Sequence, residues 1–523
     1  MKRILYFSLR CAPMLFNAGF GIFLVVTLAL LVFVDKRVFY YGSENGAPLP
    51  NAVLFVFALL LAGCGRAAVW FFQSRARTLS DCAFYAALGM FFAALFALQL
   101  FITRRIYFLS GWDFAAVFSS AQNVAFYGAK GVEERYFSMY PNNLFIACAL
   151  VYILRLGAVL TSGAPYAFVL AITNLLVNLS VFLTVLCVYK LTKCRAAAVL
   201  SMLTGAVLIA LSPWIVLPYT DSLTMVFPAA ALFFYCFLKS SRLKAFFVTL
   251  FCVVGGFLKP TVFLVIFSFA AVAGVRTLKN NLPRKARLKR SASFFLSVGL
   301  SVLCALGLRA ALLSTNQTVL DEKIRMPFSH FLMMGLNRAK NGVYYEDDVH
   351  YSLSFPDVKT RLSANLEAAG ARLREKGLFL LFVKKQLCNY NDGTFSWGLE
   401  GNFYLDVPPE KDAAATFLRS VYYNGAKNYP VFVAVQQTLW LFVLLCAAFS
   451  AFSLKTRSDA SRVAMLAILL ISAFLLIFEC RARYFYLFSP LFLLLAGIGL
   501  SHGLKRPFAL FKGEDTARKG RAS

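Results

Sequence analysis

Apolar residues run along the chain in stretches at about 14–34, 50–72, 82–103, 143–160, 166–189, 196–217, 222–239, 245–258, 260–275, 292–313, 431–453, 462–479 and 484–503. Most approach the roughly 20 residues a helix needs to cross a hydrocarbon core, although 245–258 and 260–275 are short. Two polar segments between them are long, 104–142 and 314–430. The pattern predicts an all-α polytopic membrane protein of about twelve transmembrane helices, with a mixed loop subdomain at 314–430. In that loop, VKTRLSANLEAAGARLREKG at 358–377 has the period of an amphipathic helix. The apolar patch LFLLFVKKQ at 378–386 then suits the plane of a membrane surface.

Charge gives the stretches a direction. Lys2, Arg3 and Arg10, then Arg75 and Arg77, the run RTLKNNLPRKARLKR at 276–290, then Lys455, Arg457 and Arg462, and the tail residues Lys505, Arg506, Lys512, Arg518, Lys519 and Arg521 mark the cytoplasmic side. The expected protein is multi-pass in the cytoplasmic membrane with both termini cytoplasmic. Residues 104–142 and 314–430 then lie outside, and Lys190, Lys193 and Arg195 inside. An odd number of crossings must fall between 142 and 190, where two apolar stretches lie. The stretch 143–160, interrupted by Arg155, is the one expected not to cross. The chain divides into a transmembrane region 1–313 containing the outside loop 104–142, the loop subdomain 314–430, transmembrane helices in 431–504, and a basic tail 505–523.

Composition strengthens this reading. Of 523 residues, 60% are hydrophobic and 15% charged, whereas a soluble domain is about half apolar and about a quarter charged. A water-soluble fold of this size is excluded. The net charge of +29 would suggest nucleic acid in a soluble protein. Here the basic residues sit between apolar runs without interleaved aromatics, so no nucleic-acid partner is read. The start MKRILYFSLR resembles a signal peptide but lacks a small-residue cleavage site, so it reads as a retained first helix. Most of the 12 Cys lie in apolar runs, and the three His (His330, His350, His502) are scattered. No metal site is read from them. No repeat at a fixed period is evident.

The candidate chemistry lies in polar residues at the outer ends of the stretches, where ionisable groups are costly and usually carry a task. They are Asp113 in GWDF, Tyr140 and Asn142 in YPNN, Tyr219 and Asp221 in PYTDS, Lys259 in FLKPT, and Glu479, Arg481 and Arg483 in ECRARY. Carboxylates beside fixed cations suit an anionic lipid headgroup and a proton transfer. Each also has a structural reading. Asp113 and Asp221 can cap helices, Lys259 can snorkel from a turn, and Glu479 can pair with its neighbouring arginines. His330 in PFSHFLMMGLN reads as a packed residue, and Glu346, Asp347 and Asp348 as a solvated turn.

The set resembles the GT-C superfamily of membrane glycosyltransferases, nearest to the protein-mannosyltransferase-like family 39 and related Gram-positive bacterial branches. The resemblance covers about residues 80–500. It rests on the acid in the early outside loop (Asp113), YPNN, PYTDS, GGFLKPT and ECRARYFYLFSP. This chain has a single Asp and YPNN where many members have an acidic pair and PPL. The segments PFSHFLMMGLN, GVYYEDD and NYNDGTFSW also look like parts of uncharacterised membrane glycosyltransferases of Gram-positive bacteria. The resemblance implies inverting transfer of a sugar from a polyprenyl-phosphate donor on the outer membrane face. Asp113 would be catalytic and Lys259, Arg481 and Arg483 would bind the donor phosphate. Tyr140, Asn142, Tyr219, Asp221, Glu479 and His330 would support them. The implied acceptor is an envelope polymer, a glycolipid or a protein. The resemblance names no definite cofactor and leaves a divalent cation open. The rival readings are a lipid or solute transporter or flippase, and a non-catalytic envelope-assembly protein.

Overall fold

The computed structural model describes residues 2–34, 49–75, 80–128, 133–161, 163–279, 284–314, 319–452 and 458–501. The basic tail 505–523, Arg77, Lys455, Arg457 and part of the 276–290 run lie outside the described residues.

Among these, twelve helices are long and apolar enough to cross a membrane: Ala12–Phe33, Asn51–Phe72, Asp81–Ile106, Pro141–Leu160, Pro165–Thr192, Thr220–Phe237, Ser241–Leu258, Pro260–Leu278, Ser291–Leu313, Tyr429–Ser450, Asp459–Ile477 and Arg483–Leu500. Their starts carry the expected local chemistry. Ser80, Ser240 and Ser458 accept hydrogen bonds from the first-turn amides of Ala83, Leu243 and Ser461. Pro141, Pro165, Pro260 and Pro430 stand at first-turn positions, where a missing N–H costs nothing. Arg483–Leu500 is buried along nearly its whole length and forms the axis of the bundle. Ser291–Leu313 is mostly exposed apolar surface, as a lipid-facing helix is.

Contacts assign the helix ends to two faces. At one, Asp81 accepts hydrogen bonds from Tyr189 (2.5 Å) and Arg195 (2.8 Å). Asp459 there meets Arg276 at 3.3 Å and Tyr235 at 3.5 Å. At the other, the Tyr166 hydroxyl donates to the carbonyl of Phe108 and the Tyr423 hydroxyl to that of Ile106.

Pro141–Leu160 qualifies as a span by length and hydropathy, but both its ends belong to this second face. Asn143 bonds Tyr136, while Gly157 packs on Phe168 at the start of the next helix. Tyr152 reaches the carbonyl of Ala311. Arg155 reaches the carbonyls of Val124 and Ala125 at the end of the helix Trp112–Tyr127. Both ends of this helix therefore meet the same group of helix ends.

The missing crossing is the apolar run 195–217. It comprises an 11-residue helix Arg195–Gly205, a π-helical turn Ala206–Ala210 and a 3₁₀ turn Pro213–Val216. Broken backbone is tolerable inside a membrane protein when buried groups satisfy it. Here Gln99, Tyr486 and Tyr422 donate to the carbonyls of Ala210, Ile209 and Leu211.

The second long segment covers this face with the helices Phe328–Gly335, Glu346–Leu353, Val358–Arg374, Leu378–Tyr390 and Ala413–Tyr422. A two-stranded antiparallel sheet ties it to the first loop: β1 (Leu109–Ser110) pairs with β2 (Tyr404–Asp406). Leu378–Tyr390 departs from the surface-lying expectation. Only its start is exposed, with Phe379 at 82%. Its far half turns inward because buried Lys385 donates to the carbonyls of Gly335 and Phe478, Gln386 to Thr27, and Tyr390 packs between Trp440 and Phe485. The chain then continues through the bundle to Trp397, with buried Asp392 accepting from the amides of Thr394 and Ser396.

Candidate functional site

The site forms where the covering segment meets the ends of five membrane helices. Lys259 caps the end of Ser241–Leu258 and precedes a proline turn, so its side chain leaves the helix toward the bundle axis. It donates to Asp221 at the start of Thr220–Phe237, and its ammonium lies 4.3 Å from the Tyr484 ring centroid. Asp221 and Lys259 are both buried, so neither charge is tolerable without the other.

Arg483, the first residue of the axial helix, is 5% exposed. Its Nε lies 3.4 Å from the second oxygen of Asp221, and its Nη1 lies 3.4 Å from Glu400. The same Glu400 oxygen is 3.0 Å from Nη1 of Arg481. Arg481 in turn donates from Nε to Glu479 at 2.6 Å, and the Tyr484 hydroxyl donates to the other Glu479 oxygen. One chain of charge thus runs Lys259, Asp221, Arg483, Glu400, Arg481, Glu479.

Asp113 joins it through its neighbour. The guanidinium carbon of Arg483 stands 4.4 Å from the centroid of Trp112, and Trp112 meets Tyr219 edge to face at 4.9 Å. Trp112 has φ of 50°, a left-handed conformation that a bulky residue adopts at a cost. It opens the helix that carries Asp113. Burial raises the Asp113 carboxyl above the usual carboxylate range, against the opposing pull of Arg483 and Arg481. Burial likewise opposes ionisation of Glu479, but Arg481, Arg483 and Tyr484 outweigh it and hold that carboxyl below its usual range.

Asp113, Tyr219, Asp221, Lys259, Glu479, Arg481 and Arg483 therefore come together. Tyr140 sits at the edge, half-buried, with its ring 6.4 Å from Phe331. In YPNN it is Asn143 that turns inward and donates to Tyr136 at 2.5 Å. Asn142 is exposed and bonds only Asn143, because the 3₁₀ turn Pro141–Asn143 points successive side chains apart. His330 is packed inside the cover, with Nδ1 2.8 Å from Ser352. Burial lowers it to about 4, despite the opposing charges of Glu479 and Asp348.

Glu400, Trp112, Tyr136, Asn143 and Tyr484 are further members that the sequence reading passed over. Glu400 had a signal: it is a lone acid in the aromatic and glycine-rich stretch SWGLEGNF. Among the described residues no three carboxylate, imidazole or thiol groups converge as a metal site would require. Each site acid but Asp113 faces a cation instead.

A family model described as conserved hypothetical integral membrane protein matches residues 9–503. The chain belongs to that family. The match takes in every element of the site and all twelve crossings. No curated protein and no solved structure matches the chain.

Proposed function

We propose that this family member is a membrane glycosyltransferase that moves a sugar from a polyprenyl-phosphate donor to an acceptor at the outer face of the cytoplasmic membrane. The observation carrying the reading is Arg483, which links the buried Lys259–Asp221 ion pair to the helix start holding Asp113. Arg481, Arg483 and Lys259 bring three cationic donors to the helix ends, each paired with a carboxylate that a lipid phosphate would have to replace or join. Asp113 stands across Trp112 from them, with a raised proton affinity suited to general base work.

In the reaction, the acceptor hydroxyl oxygen attacks C1 of the sugar and its proton passes to Asp113. The C1–O bond breaks, and the electron pair leaves with the lipid phosphate. The three cations stabilise that developing charge from fixed positions, which is the larger electrostatic contribution. The orientation is supported by Lys190, Lys193, Arg195, Lys239, Arg242 and Lys244, which lie toward the opposite face.

Replacing Asp113 by Asn tests the reading. The variant is expected to insert and melt like the wild type and to transfer no sugar. Transfer near the wild-type rate would remove Asp113 from the mechanism.

A further inference from the structure

Glu400 occupies the place between Arg481 and Arg483 where the phosphate is proposed to bind. Its Oε2 is shared by both guanidiniums, at 3.0 and 3.4 Å, yet it receives no well-directed hydrogen bond. Arg483 Nε is likewise buried without a hydrogen-bond acceptor, although Asp221 lies 3.4 Å away. A guanidinium presents a fork of donors that matches two oxygens at once. One carboxylate oxygen stretched between two guanidiniums fills neither fork. A phosphate, with charged oxygens on a tetrahedral centre, can reach both.

The backbone under Glu400 has an unusual local geometry. Glu400 belongs to a five-residue π-helix, Trp397–Gly401, with glycines at 398 and 401. Phe395 and Ser396 precede it with φ of 56° and 61°, left-handed values that store strain in non-glycine residues. Trp397 is anchored, fully buried with its indole donating to the carbonyl of Tyr422. Beyond the π-helix, the Phe403 carbonyl accepts from the Gly111 amide at 2.9 Å, and β2 pairs with β1. The next residues after Gly111 are Trp112 and Asp113.

We infer that Glu400 is a built-in stand-in for the ligand anion. It holds the arginine pair, gives way to an incoming phosphate, and passes its displacement through Phe403–Gly111 to Asp113. The inference rests on the phosphate-site reading above and adds an internal competitor to it.

The test uses the full-length protein in lipid nanodiscs with two probes, inorganic phosphate and a polyprenyl monophosphate. Glu400→Gln keeps the size of the side chain and removes the competing charge. It is expected to bind both probes at least tenfold more tightly than the wild type. Its melting temperature should be lower without ligand and recover with phosphate, because the arginines lose their counter-charge. Unchanged or weaker binding of inorganic phosphate overturns the inference, since Glu400 would then be a strut. Tighter inorganic phosphate with no polyprenyl phosphate binding by either protein upholds the stand-in and overturns the lipid donor. No binding of either probe to either protein overturns both. If the Gln variant does not fold, Glu400→Asp, which withdraws the carboxylate by one methylene, is expected to give a several-fold gain, and no gain there counts equally against the inference.

Discussion

The guanidinium of Arg483 lies over the indole of Trp112, 4.4 Å from its centroid. A cation over a desolvated tryptophan face is worth about 1–2 kcal/mol. The contact fixes the turn that presents Asp113 to the cations. Trp112→Ala is expected to slow sugar transfer roughly tenfold, equivalent to about 1.4 kcal/mol. Trp112→Phe keeps a ring there and should retain most of the activity. Steady-state transfer rates at matched expression check this, with melting curves confirming that both variants fold.

The Lys259–Asp221 pair makes a prediction about stability. Breaking a buried ion pair from one side leaves an uncompensated charge and costs about 3–5 kcal/mol. Asp221→Asn and Lys259→Met should each melt well below the wild type. The double replacement Asp221→Asn with Lys259→Met should recover part of the loss, because it removes both charges of the pair and leaves an amide oxygen beside Arg483. It should remain inactive, since Lys259 is then missing from the proposed phosphate site. Thermal melting and transfer assays on all three variants separate the two effects.

His330 is expected to act on stability rather than on catalysis. Its folded-state value near 4 lies below the ordinary 6.5, so the fold favours the neutral ring. That stabilisation is complete above about pH 6.5 and is lost as pH falls toward 4, because the unfolded chain takes up the proton first. The full difference corresponds to about 3 kcal/mol. His330→Gln should therefore lose less thermal stability than the wild type between pH 7 and 4.5, with no change in the pH profile of transfer above pH 6.

The path of the chain between residues 139 and 220 is open to direct labelling. In a background without the 12 native cysteines, single cysteines at Glu133 and Thr161 should react with a membrane-impermeant maleimide from one side. Cysteines at Lys193 and Lys239 should react from the other. Labelling of Thr161 from the side of Lys193 would mean that the helix Pro141–Leu160 crosses after all.

Much of this arrangement was legible before the structure. Apolar run length marked the helices, and lysine and arginine placement singled out 143–160 as the run whose crossing is in question, which hydropathy alone misses. The same reasoning put Asp113, Asp221, Lys259, Glu479, Arg481 and Arg483 on one rim. Glu400 stayed hidden because its position depends on the chain from Leu378 to Trp397 entering the bundle. That entry is set by tertiary bonds such as Lys385 to the carbonyl of Phe478 and Tyr390 to Ser472. Asn143 was missed in favour of Asn142 because only the observed turn decides which neighbour faces inward. The pairing of Lys259 and Arg483 with Asp221, and of both arginines with Glu400, emerged only in three dimensions.

The central claim is covalent sugar transfer from a polyprenyl-phosphate donor. It is tested most directly by incubating the purified protein in nanodiscs with radiolabelled polyprenyl-phosphate sugars and a membrane extract as acceptor source, with and without chelator. The expected result is label moving from the lipid into a new product with release of unlabelled polyprenyl phosphate, and none of this with Asp113→Asn. Label that stays on the lipid with every donor, or that crosses the bilayer still attached to its lipid when the protein is in sealed vesicles, would contradict the account and favour a flippase.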